Sequence, residues 1–135
     1  MRVMAIDYGD ARTGIALSDP TGTITGRAWV VSERRPEKLA AVIKQAAQEN
    51  GVSTIVLGFP RNMNGTVGPR AEKCESFALT LKEATGLPVI LCDERRTTAD
   101  AHRILSENDR HGKKRRSRID AVAASLILEA YLASL

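Results

Sequence analysis

The sequence is poor in aromatic residues, cysteine and histidine, and it has no long apolar run. Only five of its 135 residues are aromatic, so stacking on aromatic rings is not its main way of holding a ligand. The two histidines and two cysteines have no metal-type spacing, which argues against a zinc site built from them. No stretch approaches the roughly 18 consecutive apolar residues of a membrane-spanning helix. These absences predict a soluble protein that binds its ligands through oxygen and nitrogen groups.

The composition, the cysteines and the N-terminal residues predict a globular cytoplasmic protein. The four-residue apolar run before Asp7 is too short for the core of a signal peptide. Cys74 lies in a helical pattern and Cys92 in an apolar run, so both read as small buried side chains in a reducing compartment. The apolar fraction of 43% and the charged fraction of 27% are those of a globular protein. We expect one cytoplasmic domain, 1–135, with no membrane association.

The positive charge is concentrated in one segment. The chain has 20 lysines and arginines against 16 acidic residues, for a net charge of +4. Six of those cations and no acid lie between Arg110 and Arg118, which we call the basic strap, and the remainder is slightly acidic. The strap could draw a polyanion toward an acidic site, or it could be a solvated loop or the basic lead of a helix.

The apolar periodicity predicts an α/β protein. Three strands come first, at 3–6, 14–18 and 23–31, and their short loops favour an antiparallel meander. Helices and strands then alternate. The later elements are helices at 36–51, 69–86, 97 to about 108 and 119–135, and strands at 54–57 and 88–92. This order predicts a mixed sheet covered by about four helices, the last of them buried against the sheet.

Acidic residues stand where several of these elements begin or end. Asp7 ends the first strand, Asp93 and Glu94 follow the fifth, and Asp120 lies in the first turn of the last helix. Ligands of open α/β sheets gather outside the carboxyl ends of strands, so these acids could meet there. Each also has a simpler explanation: a turn, a surface ion pair, or an acid that favours a helix start.

Clustered carboxylates repel one another unless a cation lies between them. An all-oxygen ligand set suits Mg²⁺ or Mn²⁺. Two such ions about 3.5–4 Å apart can activate a water and stabilise the leaving oxygen of a phosphodiester. Acids that need metal, beside a strap that attracts polyanions, are therefore consistent with a nuclease.

The loop 61–68 offers possible phosphate contacts. It precedes a predicted helix start, whose exposed N–H groups can hold a phosphate, and its glycines allow close approach of the backbone. It could equally be a connector with turn glycines. The candidate nucleic-acid contacts over the whole chain are Arg12, Arg61, Asn62, Gly65, Arg70, Arg95, Arg96, Lys113, Lys114, Arg115 and Arg116.

Four motifs together resemble one family. They are DYGDARTGIALSD at 7–19, GFPRNMNGTVG at 58–68, DERRTT at 93–98 and IDAVAASLIL at 119–128. The sequence is similar to the YqgF (RuvX) family, whose members are described as pre-16S rRNA nucleases or Holliday junction resolvases. That family resembles the RNase H-like superfamily and is related to the RuvC resolvases. The resemblance implies a five-stranded sheet with three antiparallel and two parallel strands.

The resemblance also implies the site. Asp7, Glu94 and Asp120 would be the catalytic acids that bind Mg²⁺ or Mn²⁺, with Asp93 as a substitute for Glu94. Because adjacent residues of a strand point to opposite faces, only one of that pair would face the metals. Asn64 stands where we would expect an acid, which weakens a catalytic role for the loop. Asp120 has no acidic neighbour before Glu129, so the second metal site could be weaker.

Several functions follow from this resemblance. The first is cleavage of structured RNA in the maturation of pre-16S ribosomal RNA, preferred on the family alone. The second is resolution of branched DNA at four-way junctions. Its paired cuts need two-fold symmetry, so this function requires a homodimer, whereas the first leaves monomer and homodimer open. The third is a non-catalytic RNA-binding assembly factor. An ATP-handling fold of the actin and sugar-kinase type is a weaker alternative, since 135 residues supply only one of its two lobes.

Overall fold

The computed structural model describes residues 1–59, 68–93 and 112–135, and for 112–120 it describes the backbone. The elements follow the predicted order, with most boundaries within two residues of the prediction. They are β1 (Arg2–Asp7), β2 (Thr13–Ser18), β3 (Thr25–Val31), α1 (Pro36–Glu49), β4 (Val52–Phe59), α2 (Pro69–Thr85), β5 (Val89–Asp93) and α3 (Gly112–Ala133).

The sheet is mixed, as predicted. Its strand order is β3-β2-β1-β4-β5. β1 pairs antiparallel with β2, and β2 with β3, whereas β4 lies parallel to both β1 and β5. The described residues form three helices rather than the expected four, and the helix predicted from 97 to about 108 lies outside them.

Alternate residues of the strands build two cores, one on each side of the sheet. The first face of the sheet packs against α1 and α2, and its buried residues include Met4, Ile6, Ile15, Ile55, Leu57, Phe59, Leu39, Ile43, Phe77 and Leu81. The second face packs against α3, and its buried residues are Val3, Ala5, Ala16, Val56, Ala124, Ile127 and Leu128. The sheet is therefore the middle of three layers, and which face a side chain joins depends on its parity along the strand.

The first two helices begin and end where the punctuating residues predict. Pro36 and Pro69 occupy the first helical positions of α1 and α2. Gly86 ends α2 with a φ of 70°, the left-handed conformation that favours glycine. Helical spacing in the sequence predicts Val42 and Ala78 on the buried faces of α1 and α2. Both predictions need correction, because Val42 is 42% exposed, and Ala78 is half-buried while its neighbour Phe77 is buried. Helical spacing alone allows an error of one residue in the buried face.

α3 begins at Gly112, seven residues before its predicted start at 119. The strap residues 113–118 therefore belong to the helix, because lysine and arginine are good helix formers and no proline interrupts them. Ala123, Ala124, Ile127 and Leu128 are buried, whereas Glu129 and Ala130 are exposed. α3 thus buries one stripe rather than its whole circumference. No helix among the described segments has the length and apolar character that a membrane span requires.

The position of β5 at the edge of the sheet explains why Cys92 is less buried than predicted. β5 borders the sheet, and its Ile90 and Leu91 are 38% and 40% exposed. Cys92 is consequently half-buried rather than buried as expected, whereas Cys74 of α2 is buried as predicted.

Candidate functional site

Asp7 is the last residue of the central strand β1. Val3 and Ala5 face α3, so alternation along the strand points the Asp7 side chain to that same second face. The residue is half-buried, and its partner across the antiparallel pair is Gly14 of β2. A carboxylate therefore stands at the carboxyl end of the sheet, on the side that α3 covers.

The turn after Asp7 is tied to α2 by three contacts. The Tyr8 ring stacks on Phe77, with ring centroids 4.2 Å apart and planes 10° from parallel. Nη2 of Arg70 donates to the Tyr8 carbonyl oxygen at 3.3 Å. Nζ of Lys73 lies 3.6 Å from Oδ1 of Asp10. Because these contacts hold the residues that follow Asp7, the position of its carboxylate is set by α2 as well as by the sheet.

Tyr8 itself is half-buried against α2. Partial burial raises the pKa of its hydroxyl above the ordinary value of 10.0, with smaller contributions from Cys74, Asp10 and Glu37. The phenol is therefore neutral throughout the physiological range. The neutral ring packs against Phe77 of α2.

Asp93 lies on the other side of the sheet from Asp7. It pairs with Phe59 of β4, which belongs to the core of the first face. Cys92, one residue earlier, packs on the second face. This parity favours Glu94 over Asp93 as a companion of Asp7, and Glu94 lies outside the described residues.

The backbone of α3 carries Asp120 toward the same end of the sheet as Asp7. The other end of the helix lies at the amino end of β1, because Glu129, Leu132 and Ala133 line a cleft with the segment 23–25, where β3 begins. That segment follows Ser18, whose Oγ accepts a hydrogen bond from the Val3 N–H. Asp120 precedes the buried residues Ala123 and Ala124 by three and four positions, the spacing of one helix face.

The predicted nucleic-acid contacts are only partly described. Arg12 is half-buried in the turn between β1 and β2, and Arg70 is exposed at the beginning of α2. The backbones of Lys113, Lys114, Arg115 and Arg116 form the first turns of α3, and their side chains lie outside the described residues. Arg61, Asn62, Gly65, Arg95 and Arg96 lie outside as well.

The described residues contain no group of three histidine, cysteine or acidic side chains that could hold a metal ion. Only one of the three predicted ligands, Asp7, has a described side chain. Its chemistry fits the prediction, because a half-buried carboxylate is the kind of donor that a hard cation such as Mg²⁺ prefers. Glu94 and Asp120 stay predictions.

Two features escaped the sequence analysis. One is a cleft of about 530 Å³ on the first face, between α1 and α2, lined by Tyr8, Asp10, Arg34, Glu37, Lys73 and Phe77 among others. Because the sequence contains few aromatic residues, nothing in it predicted that Tyr8 and Phe77 would stack there. The other is a pair of glycines that lie level with Asp7 in the neighbouring strands, Gly14 of β2 and Gly58 of β4, which only the strand register reveals.

The order and pairing of the strands define the class of fold, which this chain shares with RuvC-type resolvases. The chain superimposes on Thermus thermophilus RuvC in complex with a Holliday junction substrate with a TM-score of 0.60, at 15% identity, covering 99% of this chain and 97% of RuvC. The fowlpox virus Holliday junction resolvase gives a TM-score of 0.61 at 16% identity, with 100% of both chains covered. The shared fold is RNase H-like, as predicted.

The sequence identifies the family. The RuvX model, described as Holliday junction resolvase, matches residues 1–134, and the chain belongs to this family. A relative from Halothermothrix orenii is 44% identical over 132 residues, covering 98% of this chain and 94% of the relative, and it carries the name "Putative pre-16S rRNA nuclease". The resemblance stated from the four motifs is confirmed.

Proposed function

We propose that this chain is a metal-dependent nuclease that hydrolyses phosphodiester bonds, with RNA of the pre-16S type as its substrate. The observation that carries the proposal is the placement of Asp7 at the carboxyl end of the central strand, on the face covered by α3. Membership of the RuvX family and the name of its relative supply the substrate class. Such a substrate would be met in the cytoplasm.

The topology supports Asp120 as a second ligand. From Ala5 to Asp7 the strand advances about 6.6 Å, at 3.3 Å per residue. The same distance along a helix corresponds to about four residues, at 1.5 Å per residue. Ala5 and Ala124 belong to one buried cluster, and Asp120 precedes Ala124 by four residues. Asp120 would therefore lie level with Asp7 if α3 runs roughly along β1.

Strand parity supports Glu94 as the third ligand. Cys92 packs on the second face and Asp93 belongs to the first. If the extended backbone continues for one residue beyond β5, Glu94 shares the face of Asp7 and Cys92. The three carboxylates would then surround one end of the sheet, where together they would hold the divalent cations.

Two groups of residues would have separate roles in this function, one binding the metal ions and the other holding Asp7 in place. Asp7, Glu94 and Asp120 would hold Mg²⁺ or Mn²⁺, which when bound neutralises phosphate charge and lowers the pKa of water. The stack of Tyr8 on Phe77 and the Arg70 hydrogen bond hold the turn beside Asp7 rigid. A rigid carboxylate costs less entropy when it binds an ion than a mobile one does.

The basic strap fits the same function. Its residues 113–118 belong to the first turns of α3, and Lys113 and Lys114 precede Asp120 on this helix by seven and six residues. At 1.5 Å per residue, Lys113 lies about 10 Å before the proposed ligand along the helix. A polyanion drawn to the strap would therefore arrive beside the acids, which need their metal ions before they can accept it.

The test is a cleavage assay on structured RNA and on four-way DNA, with Mg²⁺ or Mn²⁺. Asp7→Asn should lower the rate by at least about 100-fold, because it removes a metal ligand. Asp93→Asn makes the same chemical change on the opposite face and should keep the rate within about threefold. Full activity of Asp7→Asn, or equal losses in the two variants, would contradict the proposal.

A resolvase is the second candidate, since the matching family model and the structural neighbours carry that description. Paired cuts at a junction require a two-fold symmetric dimer. Sedimentation with and without four-way DNA separates the two candidates. A monomer that cleaves RNA supports the first, and a dimer that makes paired cuts in DNA supports the second. Tight RNA binding without cleavage at any metal concentration would instead indicate an assembly factor.

A further inference from the structure

A cleft of about 530 Å³ on the first face lies between the start of α1 and the middle of α2, and the proposed hydrolysis assigns it no ligand. Every residue that lines it belongs to the part of the chain that the structure describes. The side chains that give it its chemistry are Tyr8, Asp10, Arg34, Glu37, Lys73 and Ser76. Its size falls within the range of about 300–1,000 Å³ that is usual for sites of small organic groups.

The cleft meets the candidate site at the end of β1. Alternation along the strand points the Asp7 side chain to the second face, whereas Tyr8 packs against the core of the first face and lines the cleft. The Cα atoms of two consecutive residues are only about 3.8 Å apart. A ligand that contacts both Asp7 and the cleft must therefore pass over the carboxyl end of the sheet, which suits a flexible polymer strand better than a compact small molecule.

The charges that line the cleft cancel. Arg34 and Lys73 are cations, and Asp10 and Glu37 are acids. Lys73 is already engaged, since its Nζ lies 3.6 Å from Oδ1 of Asp10. Without a net charge the cleft does not attract phosphate, but it offers guanidinium donors and carboxylate acceptors beside the ring of Tyr8. A nucleobase has the matching features, because it is a flat, uncharged ring with a polar edge.

The aromatic wall of the cleft is held in place before any ligand arrives. The ring of Tyr8 stacks on Phe77 with centroids 4.2 Å apart, and Nη2 of Arg70 donates to the Tyr8 carbonyl oxygen at 3.3 Å. Partial burial raises the pKa of the Tyr8 hydroxyl, so this group is neutral and able to donate a hydrogen bond. A wall that is already ordered loses little conformational entropy when a ligand binds against it.

We propose that this cleft binds one unpaired base of an RNA strand whose scissile bond lies at Asp7. The inference rests on the proposed function, which supplies RNA as the ligand. The strand would cross from the second face, over the end of β1, to the first face. A paired base has its Watson–Crick edge occupied, so only a single-stranded base can place that edge against Arg34 and Glu37. The substrate is thereby narrowed to RNA with an unpaired segment beside the bond that is cut.

The experiment measures binding of the protein to labelled hairpin RNAs with single-stranded tails, by fluorescence anisotropy with Ca²⁺ in place of Mg²⁺. Each RNA of the series lacks one base of a tail. One particular base, when removed, should weaken binding by about tenfold, whereas the others should have little effect. Ser76→Phe places a ring in the cleft, so it should weaken binding of the intact RNA by a similar factor and make the removal of that base inconsequential. Leu79→Phe makes a similar addition on an exposed residue of α2 that does not line the cleft, and it should behave as the unsubstituted protein does.

A second pair of variants tests the polar edge without filling the cleft. Glu37 and Glu72 are exposed acids in the first turns of α1 and α2, and only Glu37 lines the cleft. Glu37→Gln should weaken binding of the intact RNA by about fivefold and leave unchanged the binding of the RNA that lacks the critical base. Glu72→Gln should bind both RNAs as the unsubstituted protein does. This pair decides the question if Ser76→Phe does not fold.

The outcomes separate this inference from the proposed function. If no single base matters, if Ser76→Phe keeps the full dependence on that base, or if Glu37→Gln and Glu72→Gln lose affinity equally, the inference fails. The nuclease proposal then still depends on the cleavage rate of Asp7→Asn. If the base-dependent pattern appears but RNA is not cut with Mg²⁺ or Mn²⁺, the cleft keeps its ligand and the nuclease proposal fails. If the protein does not bind RNA, both fail.

Discussion

Single residues fix the turns at the two ends of β1. A Cβ built at Gly9 would overlap the carbonyl oxygen of Arg12, so the turn after Asp7 can close only with glycine at that position. At the other end of the sheet, Asp19 organises the loop between β2 and β3. Its Oδ1 accepts hydrogen bonds from the N–H groups of Thr23 and Ile24, at 2.7 and 3.0 Å. Each turn thus depends on one residue type.

Gly9→Ala should destabilise the protein by about 1–3 kcal/mol, because the turn must open to relieve the overlap. It should also weaken Mn²⁺ binding, since this turn follows Asp7 directly and helps to hold its carboxylate in place. Gly86→Ala is the control: its left-handed φ makes alanine unfavourable, but nothing lies within 4 Å of the added Cβ. Urea unfolding and Mn²⁺ titration should therefore show a stability loss in both variants and an affinity loss only in Gly9→Ala. Equal Mn²⁺ affinities would contradict the role given to this turn.

Asp19 should make stability depend on pH. The Thr21 hydroxyl, followed by the N–H groups of Ile24 and Thr23, holds its pKa well below the ordinary value of 3.8. The unfolded chain therefore binds this proton more readily, so the stabilisation is present above about pH 4 and is lost as the pH falls below it. The difference in unfolding free energy between the native protein and Asp19→Asn should shrink on acidification from pH 7 to pH 2.5. A difference that does not change with pH would contradict this assignment.

At the scale of elements, α2 links the core to the candidate site. Its buried side supplies Ala71, Cys74, Phe77 and Leu81 to the first face of the sheet. Its first turn supplies Arg70 to the carbonyl of Tyr8. The docking of this helix therefore sets both the stability of the first core and the rigidity of the turn after Asp7.

Two leucines of α2 test this docking. Leu81 is fully buried and Leu79 is 65% exposed. Leu81→Ala should cost about 2–5 kcal/mol of unfolding free energy, because it loses buried apolar area and leaves a cavity. Leu79→Ala, the same change two residues away, should stay within about 0.5 kcal/mol. Chemical denaturation of both variants is the measurement, and similar losses would show that α2 is docked in another rotation.

At the scale of the whole molecule, charge is distributed unevenly along the chain. The basic strap lies at the start of α3, and the rest of the chain has 14 basic against 16 acidic residues. Attraction of a nucleic acid should therefore depend on one end of one helix. Binding through phosphates releases counterions, so the affinity should fall steeply as salt is raised.

Replacing Lys113 and Lys114 by glutamine should make this salt dependence shallower. The slope of log affinity against log salt should decrease by about 0.7–0.9 for each lysine that contacts a phosphate. Lys38 and Lys44 of α1 are exposed and supply a control with the same change in charge. Fluorescence anisotropy with labelled structured RNA at several salt concentrations gives both slopes. If the two double variants have the same slope, net charge rather than the strap governs binding.

The sequence by itself determined the elements and their types. Apolar periodicity located the five strands, and Pro36, Pro69 and Gly86 marked helix ends, because these signals act between residues that are neighbours in the chain. It also singled out Asp7 as an acid at a strand end. It misplaced the start of α3 and the burial of Val42, Ala78 and Cys92, since those depend on what packs against each element.

The tertiary structure alone decided which residues share a face and a row. The order β3-β2-β1-β4-β5 places β4 between β1 and β5, and it brings Gly58 level with Asp7 although 51 positions separate them in the chain. The same register sets Asp93 on the face opposite Asp7. Local pattern cannot contain this information, because pairing between strands is settled by the packing of two cores built from distant segments.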